Sequence, residues 1–310
     1  MDVKRVVLIG GSGFVGSNLR ASLPFRLVVP SETEADLTIK ESLRDWICRD
    51  DIVINAAGYA NATDFSERGK QLFQSVNVDG LKNLAEVAAE AGVRQLVHIS
   101  SVAAMGRLKG EGITENMTAE PLTPYAKSKL EGERILAQFM NKIPITILRP
   151  TSVFGEGRGL ARLFCAAVSK KIIPLPNGGN AKIPFTYIGN ITKAVELAIN
   201  CEPCFGRTFI IGDKQSYPLC EIVNELAKAL GKKPRIIPVP IPAAKVGVGI
   251  LEFISSLSGK TPLLDRYRLD TLSSSVSYSI AAFADATGFV PPYSLNESVN
   301  RLAEWYVKNG

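Results

Sequence analysis

Tyr125 and Lys129 stand four residues apart in Tyr125-Ala-Lys-Ser-Lys129. On a helix that spacing puts both side chains on one face, one turn apart. A fixed ammonium beside a phenol favours the phenolate and lowers its pKa from an ordinary value of about 10. A tyrosine tuned in this way can exchange a proton with a substrate hydroxyl or carbonyl near neutral pH, as a general acid or base. A second element is Gly10-Gly-Ser-Gly-Phe-Val-Gly16, which follows directly on the apolar run ending at Ile9. Strand, glycine turn and helix together aim backbone N–H groups and a helix N-terminus at a pyrophosphate. A dinucleotide seat beside a tuned tyrosine predicts redox chemistry at a carbinol or ketone.

The elements that must carry these residues alternate along the chain. Residues 4–9 and 51–54 read as buried parallel strands, 14–23 as a helix, and 72–91 as a long amphipathic helix capped by Gly92. Residues 95–99 form the strand that delivers Ser100 and Ser101; period-two alternation sends those two serines to opposite faces. Residues 102–123 read as a loop over the site, 124–140 as the helix bearing Tyr125 and Lys129, and 145–148 as the next strand. Such alternation predicts an α/β, Rossmann-type, doubly wound parallel sheet with ligands beyond the carboxyl ends of its strands. The pattern then becomes irregular and proline-rich. Residues 173–179 read as a turn cluster, 185–188 as a short strand, and 191–200, 219–230 and 242–257 as helices. The expected division is a dinucleotide-binding domain over 1–156 and a smaller mixed substrate lobe over 157–310, with segments free to return to the sheet. The apolar helix at 242–257 has two readings, a packed element or a membrane-surface helix, and packing is the preferred one.

Composition narrows the class. Hydrophobic residues make up 46% and charged residues 21%, which is globular and not disordered. No apolar stretch reaches the 18 or more residues of a membrane span, and the chain runs from Met-Asp-Val-Lys-Arg straight into a strand without a secretory leader, so a cytoplasmic location is expected. The net charge of +6 is modest, and no dense basic run with interleaved aromatics argues for nucleic acid. Five cysteines form no disulfide framework; Cys201-Glu-Pro-Cys204 lacks the second pair that zinc requires, and no metal is expected. The single histidine, His98, lies in a buried strand and reads as a core residue.

Taken jointly, Gly10–Gly16, Asn55-Ala-Ala-Gly58, Asn77-Val-Asp-Gly-Leu-Lys-Asn-Leu84, Ser100-Ser101, Tyr125-Ala-Lys-Ser-Lys129 and Arg149-Pro-Thr-Ser-Val-Phe-Gly155 resemble the extended branch of the short-chain dehydrogenase/reductase superfamily, the NAD-dependent epimerases and dehydratases. The resemblance implies NAD or NADP as cofactor and Ser101, Tyr125 and Lys129 as catalytic residues. Tyr125 would be the acid/base, Lys129 would tune it and hold the nicotinamide ribose, and Ser101 would orient the substrate oxygen. It further implies cofactor contacts from Gly10, Gly13, Phe14, Val15, Gly16, Asp36, Leu37, Asn55, Ala56, Ala57, Gly58, Asn77, Pro150 and Val153. Asn77 has a second reading as a brace or turn cap. Where an acid that binds the adenosine ribose is expected, the chain has Ser31-Glu32, which leaves NAD and NADP both open.

The substrate implied is a small molecule, with a homodimer left open as the assembly. The resemblance favours a nucleotide-diphosphate sugar acted on by a 4-epimerase or 4-keto-reductase, with Arg158 and Lys182 as candidate diphosphate ligands and Ser101 on the sugar. The alternative is a 3-hydroxy or 3-oxo lipid, since Phe185-Thr-Tyr-Ile188, 206–213 and the tail from Leu263 to Trp305 also resemble 3β-hydroxysteroid dehydrogenases. A third reading is a regulatory scaffold that binds the dinucleotide without catalysis; the intact Ser101, Tyr125 and Lys129 speak against it.

Overall fold

The computed structural model describes residues 5–157, 160–258 and 264–309. The first half alternates as β1 (Val6–Ile9), α1 (Phe14–Ser22), β2 (Leu27–Val28), α2 (Lys40–Arg44), β3 (Ile52–Asn55), α3 (Glu67–Leu72), α4 (Gly80–Ala91), β4 (Gln95–Ile99), β5 (Gly110–Ile113), α5 (Pro124–Ala137) and β6 (Ile145–Pro150). There follow β7 (Ser152–Phe154), α6 (Leu160–Val168), β8 (Ile172–Pro176), β9 (Lys182–Ile183), β10 (Phe185–Tyr187), α7 (Ile188–Ala198), β11 (Arg207–Ile211), β12 (Tyr217–Pro218) and α8 (Leu219–Ala229). The chain ends with β13 (Arg235–Val239), α9 (Ile241–Ser258), α10 (Arg266–Ser273), β14 (Val276–Tyr278), α11 (Ala281–Thr287) and α12 (Leu295–Asn309).

Six strands form one parallel sheet in the order β2-β1-β3-β4-β6-β11. The strands are apolar on both faces because both faces are covered. Val6, Leu8, Ile54, Val97 and Ile99 pack into a core with α1, α7, α8 and α12, while Val7, Ile9, Val53, Leu96 and Ile147 pack into a second core with α2, α4 and α5. The chain reverses its direction of travel across the sheet between β1 and β3, which opens a crevice at their carboxyl ends. β11 comes from the second half of the chain and adds the edge strand beside β6.

Three sequence expectations change. The helix expected from residue 72 begins at Glu67, where Ser66 accepts a cap bond from the Gly69 N–H, and its middle, Phe73–Asp79, is wound as π-helix. Hydrophobic spacing counts helical residues without distinguishing α from π winding. The turn cluster at 173–179 is β8, paired in parallel with β13, followed by one tight turn at Asn177–Gly179. Prolines 174, 176 and 238 are tolerated because a two-stranded ribbon leaves half of each strand's N–H groups unpaired. The loop over the site contains a short 3-10 turn at Val102–Met105 and β5, which pairs with β14. That partner lies more than 160 residues away, beyond any local signal.

α5 is fixed to the sheet by a buried polar cluster. Glu133 on α5 receives two bonds from Arg149 at the end of β6, Nη2 at 2.6 Å and Nε at 3.0 Å, and a third from the Ser100 hydroxyl at 2.5 Å. Both charged side chains are buried, 8% and 6% exposed. Close approach on the other flank needs Gly132, where a Cβ would lie 2.7 Å from the Asn77 carbonyl oxygen. Removing one member of a buried pair strands the other, at a cost of roughly 3–5 kcal/mol, whereas replacing both by apolar groups of similar size is often close to neutral. Glu133→Ala is therefore expected to lose about 3–5 kcal/mol in urea denaturation, and Glu133→Met with Arg149→Met to regain most of it. A double variant no more stable than the single one would show that the pair contributes more than its burial costs.

Candidate active site

Two cavities lie at the carboxyl ends of the sheet. The first, of about 270 Å³, sits at the β1/β3 crevice and is lined by Gly10, Ser12, Gly13, Glu32, Ala35, Asp36, Leu37, Ala56, Ala57, Gly58 and Tyr59, among others. Its floor is glycine for a steric reason. A Cβ on Gly10 would lie 2.4 Å from the Ala57 nitrogen, and Gly10 has φ +81°; a Cβ on Gly16 would lie 2.1 Å from the Gly10 oxygen. Gly13 differs. Its φ of −71° is open to any residue, and a Cβ there would meet only the Gly10 oxygen at 3.4 Å. The space at Gly13 is left to the cavity, and α1 starts there with its N-terminus facing in, which suits a pyrophosphate.

The other proposed cofactor residues shape this wall from behind. Asn55 is buried; its Oδ1 accepts the Ala57 N–H at 3.0 Å and its Nδ2 lies 3.2 Å from His98 Nδ1. Burial, reinforced by Lys129, holds His98 neutral, and its Nε2 has no hydrogen-bond partner among the described residues. Phe14, Val15 and Val153 pack against the core, and Pro150 is buried at the end of β6. Asn77 takes the bracing role: its amide bonds the Tyr59 N–H at 2.8 Å, the Tyr59 carbonyl at 2.9 Å and the Ser128 hydroxyl at 3.0 Å. Asp36 Oδ1 caps Thr38 at the cavity edge.

The second cavity, of about 220 Å³, is lined by Ser101, Tyr125, Arg107, Leu108, Leu122, Thr151, Pro184, Tyr267, Thr271, Val276 and Tyr278, among others. Thr123 caps α5 through the Ala126 N–H, with Pro124 in the first turn, so the helix begins immediately before Tyr125. Ser101 stands two residues beyond β4, and its Oγ accepts the Ala103 N–H at 3.1 Å and faces the Tyr125 hydroxyl. Ser100 points the opposite way, to Glu133. Lys129 is buried one turn along α5. Its Nζ bonds the Ile99 carbonyl at 3.3 Å and lies 3.2 Å from where a Cβ on Gly58 would stand, so it reaches the wall between the two cavities.

The electrostatics correct the sequence reading of Tyr125. Burial pushes its phenol up to about 12, the Ser101 hydrogen bond acting against the rise and Tyr267 adding to it. Lys129 does not depress it here, because its Nζ is 6.0 Å from the ring centre and is committed to Ile99. Lys129 itself is pushed down to about 8 by burial, with Glu133 opposing. This arrangement holds a neutral phenol donor beside a lysine that titrates near neutrality.

Of the expected substrate residues, Ser101 lines the second cavity. Lys182 lies on β9 with an exposed side chain outside its lining, and Arg158 lies outside the described residues. Arg107 is the basic residue in that lining and was not singled out from sequence. Its Nη2 donates to the Thr118 carbonyl at 2.6 Å, while its buried Nε has no partner among the described residues. It carries no motif; only the folding of the 102–123 segment over Tyr125 brings it there.

Two outcomes test this geometry. Gly13→Val is expected to leave the fold intact, since the backbone angles and space allow it, and to weaken dinucleotide binding by at least about a hundredfold in calorimetric titration, the side chain occupying the pyrophosphate position. Unchanged affinity would remove residues 10–16 from the cofactor seat. The second concerns pH. The folded-state Lys129 gives up its proton near 8 and the unfolded one near 10.5, so the unfolded chain binds more protons in that window and stability rises with pH. Relative to Lys129→Met, wild-type stability should climb by about 2–3 kcal/mol from about pH 7.5 to about pH 10. Parallel curves for the two proteins would show that Lys129 keeps an ordinary pKa.

Residues 6–212 match the family model described as the NAD dependent epimerase/dehydratase family. Over 97% of this chain and 94% of the relative, the protein is 28% identical to an N-acetyl-alpha-D-glucosaminyl-diphospho-ditrans,octacis-undecaprenol 4-epimerase of Escherichia coli O157:H7. It is also 28% identical to a UDP-glucose 4-epimerase of Vibrio cholerae, over 98% of this chain and 96% of that one. The fold is similar to that of RMD from Pseudomonas aeruginosa, solved with NADPH, with a TM-score of 0.75 at 22% identity, covering 98% and 99% of the two chains. With the match spanning the six-stranded sheet, the first cavity and the Ser101 and Tyr125 side of the second, this chain is an enzyme that belongs to the NAD dependent epimerase/dehydratase family.

Proposed function

We propose that the protein is a 4-epimerase or 4-keto-reductase of a sugar joined to a diphosphate, working through Ser101, Tyr125 and Lys129. The observation that carries this reading is the shared lining of one cavity by Ser101, Tyr125 and Arg107. The glycine cradle fits a dinucleotide, whose nicotinamide supplies hydride acceptance and return. The chain's own groups do the rest. Tyr125 exchanges a proton with the carbinol or ketone oxygen, Ser101 orients that oxygen by hydrogen bonding, and Lys129 places a titrating cation one helical turn behind. Arg107, whose Nη1 pairs with Glu120 and Nη2 with Thr118, keeps its buried Nε–H unpartnered among the described residues and offers it to the diphosphate as a charge-assisted donor. Both curated relatives have names that specify 4-epimerisation of a sugar on a diphosphate, one ending in undecaprenol and one in uridine.

Glu32 supports NAD over NADP. It lines the adenosine end of the first cavity, whose lining contains no lysine or arginine. Ser31, in contrast, is tied to Glu34 at 2.7 Å. A carboxylate there accepts hydrogen bonds from ribose hydroxyls and repels a 2′-phosphate.

The test is an assay of nucleotide- and polyprenyl-diphosphate sugars, with steroid alcohols as the alternative set, each with NAD and with NADP. Interconversion of sugar epimers without net NAD reduction identifies an epimerase, and stoichiometric oxidation of NADH a reductase. Tyr125→Phe should lower turnover by at least about a hundredfold. Arg107→Leu should raise KM for the sugar diphosphate by about tenfold, the scale of one charge-assisted hydrogen bond, and leave cofactor affinity unchanged. Turnover of steroids alone, or wild-type turnover by Tyr125→Phe, would overturn the reading.

A further inference from the structure

α9 is amphipathic in the reverse of the usual sense. Its inward positions are small or polar, Ala244, Val248, Glu252 and Ser255, while its large apolar side chains face out. Val246 is 66% exposed, Ile250 56%, Phe253 64% and Ile254 55%, at the i, i+4, i+7, i+8 spacing of one helix face, with Leu251 exposed beside them. A surface helix of a protein surrounded only by water buries those residues instead.

The ribbon that leads into α9 has the same character. Parallel pairing sets Ile172 opposite Arg235 and Pro174 opposite Ile237, and all four are exposed. Just before them stand Lys170, Lys171, Lys232 and Lys233, also exposed. Segments 169–176 and 231–251 contain no aspartate or glutamate. Glu252 on α9 and Asp270 on α10 already pair with Arg266 and Lys245. Only Pro240 separates β13 from α9, so basic ribbon and apolar helix form one continuous stretch of surface.

We propose that this surface, β8, β13 and α9, docks on an anionic lipid bilayer, with α9 lying in the interface and the ribbon lysines on the headgroups. Exposed large apolar side chains next to unopposed cations match the two layers of such a surface, acyl chains and anionic headgroups. No helix among the described residues is long and apolar enough to cross a membrane, which leaves α9 a surface role. α10 packs on α9, and its Tyr267 and Thr271 line the cavity that holds Ser101 and Tyr125. If the sugar diphosphate of the proposed function carries a lipid tail, the tail therefore has a bilayer within one helix of the reacting centre.

Docking is tested without substrate, so its failure leaves the catalytic reading untouched. The full chain is sedimented with vesicles of phosphatidylcholine alone and of phosphatidylcholine and phosphatidylglycerol in equal parts, at low and high salt. Wild type should bind the anionic vesicles, more weakly at high salt. Ile250→Gln with Ile254→Gln, and separately Lys171→Gln with Lys233→Gln and Arg235→Gln, should each weaken binding by at least about tenfold, the second set also losing the salt dependence. Unchanged thermal unfolding and NAD affinity verify that both variants fold. Wild type remaining in the supernatant, or variants that bind as wild type does, would overturn the proposal. So would an isoleucine pair whose replacement converts a dimer to a monomer in sedimentation velocity, because the face would then be covered by a second copy.

Discussion

The Glu133–Arg149 pair is the interaction on which the site depends. α5 brings Tyr125 to one cavity and Lys129 to the wall of the other, so a buried cation sits on a helix that otherwise packs through apolar residues such as Leu136. Glu133, one turn beyond Lys129, fixes that helix by pairing with Arg149 of β6 and accepting a bond from Ser100 just after β4. Three elements of different sequence distance are thus locked in register by directional, buried bonds. Their geometry is stricter than hydrophobic contact alone imposes, because a misplaced charge in that setting has no water to fall back on.

The same burial sets the site's chemistry. Desolvation favours the neutral form of every group, and so moves Tyr125 up and Lys129 down. The two shifts oppose what a solvent-exposed tyrosine and lysine on one helix face would do. The state of the Tyr125 phenol consequently depends on the groups packed around it, Ser101 opposing the rise and Tyr267 adding to it.

The cofactor side is governed by close approach. Gly10 and Gly16 are required where two backbones meet, whereas Gly13 keeps space for a ligand. Asn55 and Asn77, which read from sequence as cofactor contacts, spend their amides on the loops that form the cavity wall. Through those bonds they set the shape of residues 55–59.

Local patterns sufficed for much of this protein. Apolar runs followed by glycines announced the parallel sheet, because a strand buried on both faces leaves an unbroken apolar signature. The four-residue spacing of Tyr125 and Lys129 announced the helix that carries them, whereas its Thr123 cap appears only in the folded chain. What lay beyond the sequence were relations between distant residues. Arg107 reaches the second cavity because the segment that carries it folds over Tyr125 with β5 paired to β14, and Glu133 is buried where Arg149 meets it. The proline-rich ribbon is a ribbon only through its partner strand. The direction of the Tyr125 shift was misread for the same reason. A pKa responds to the summed desolvation by every element packed around the group, and that sum exists only once the chain has folded.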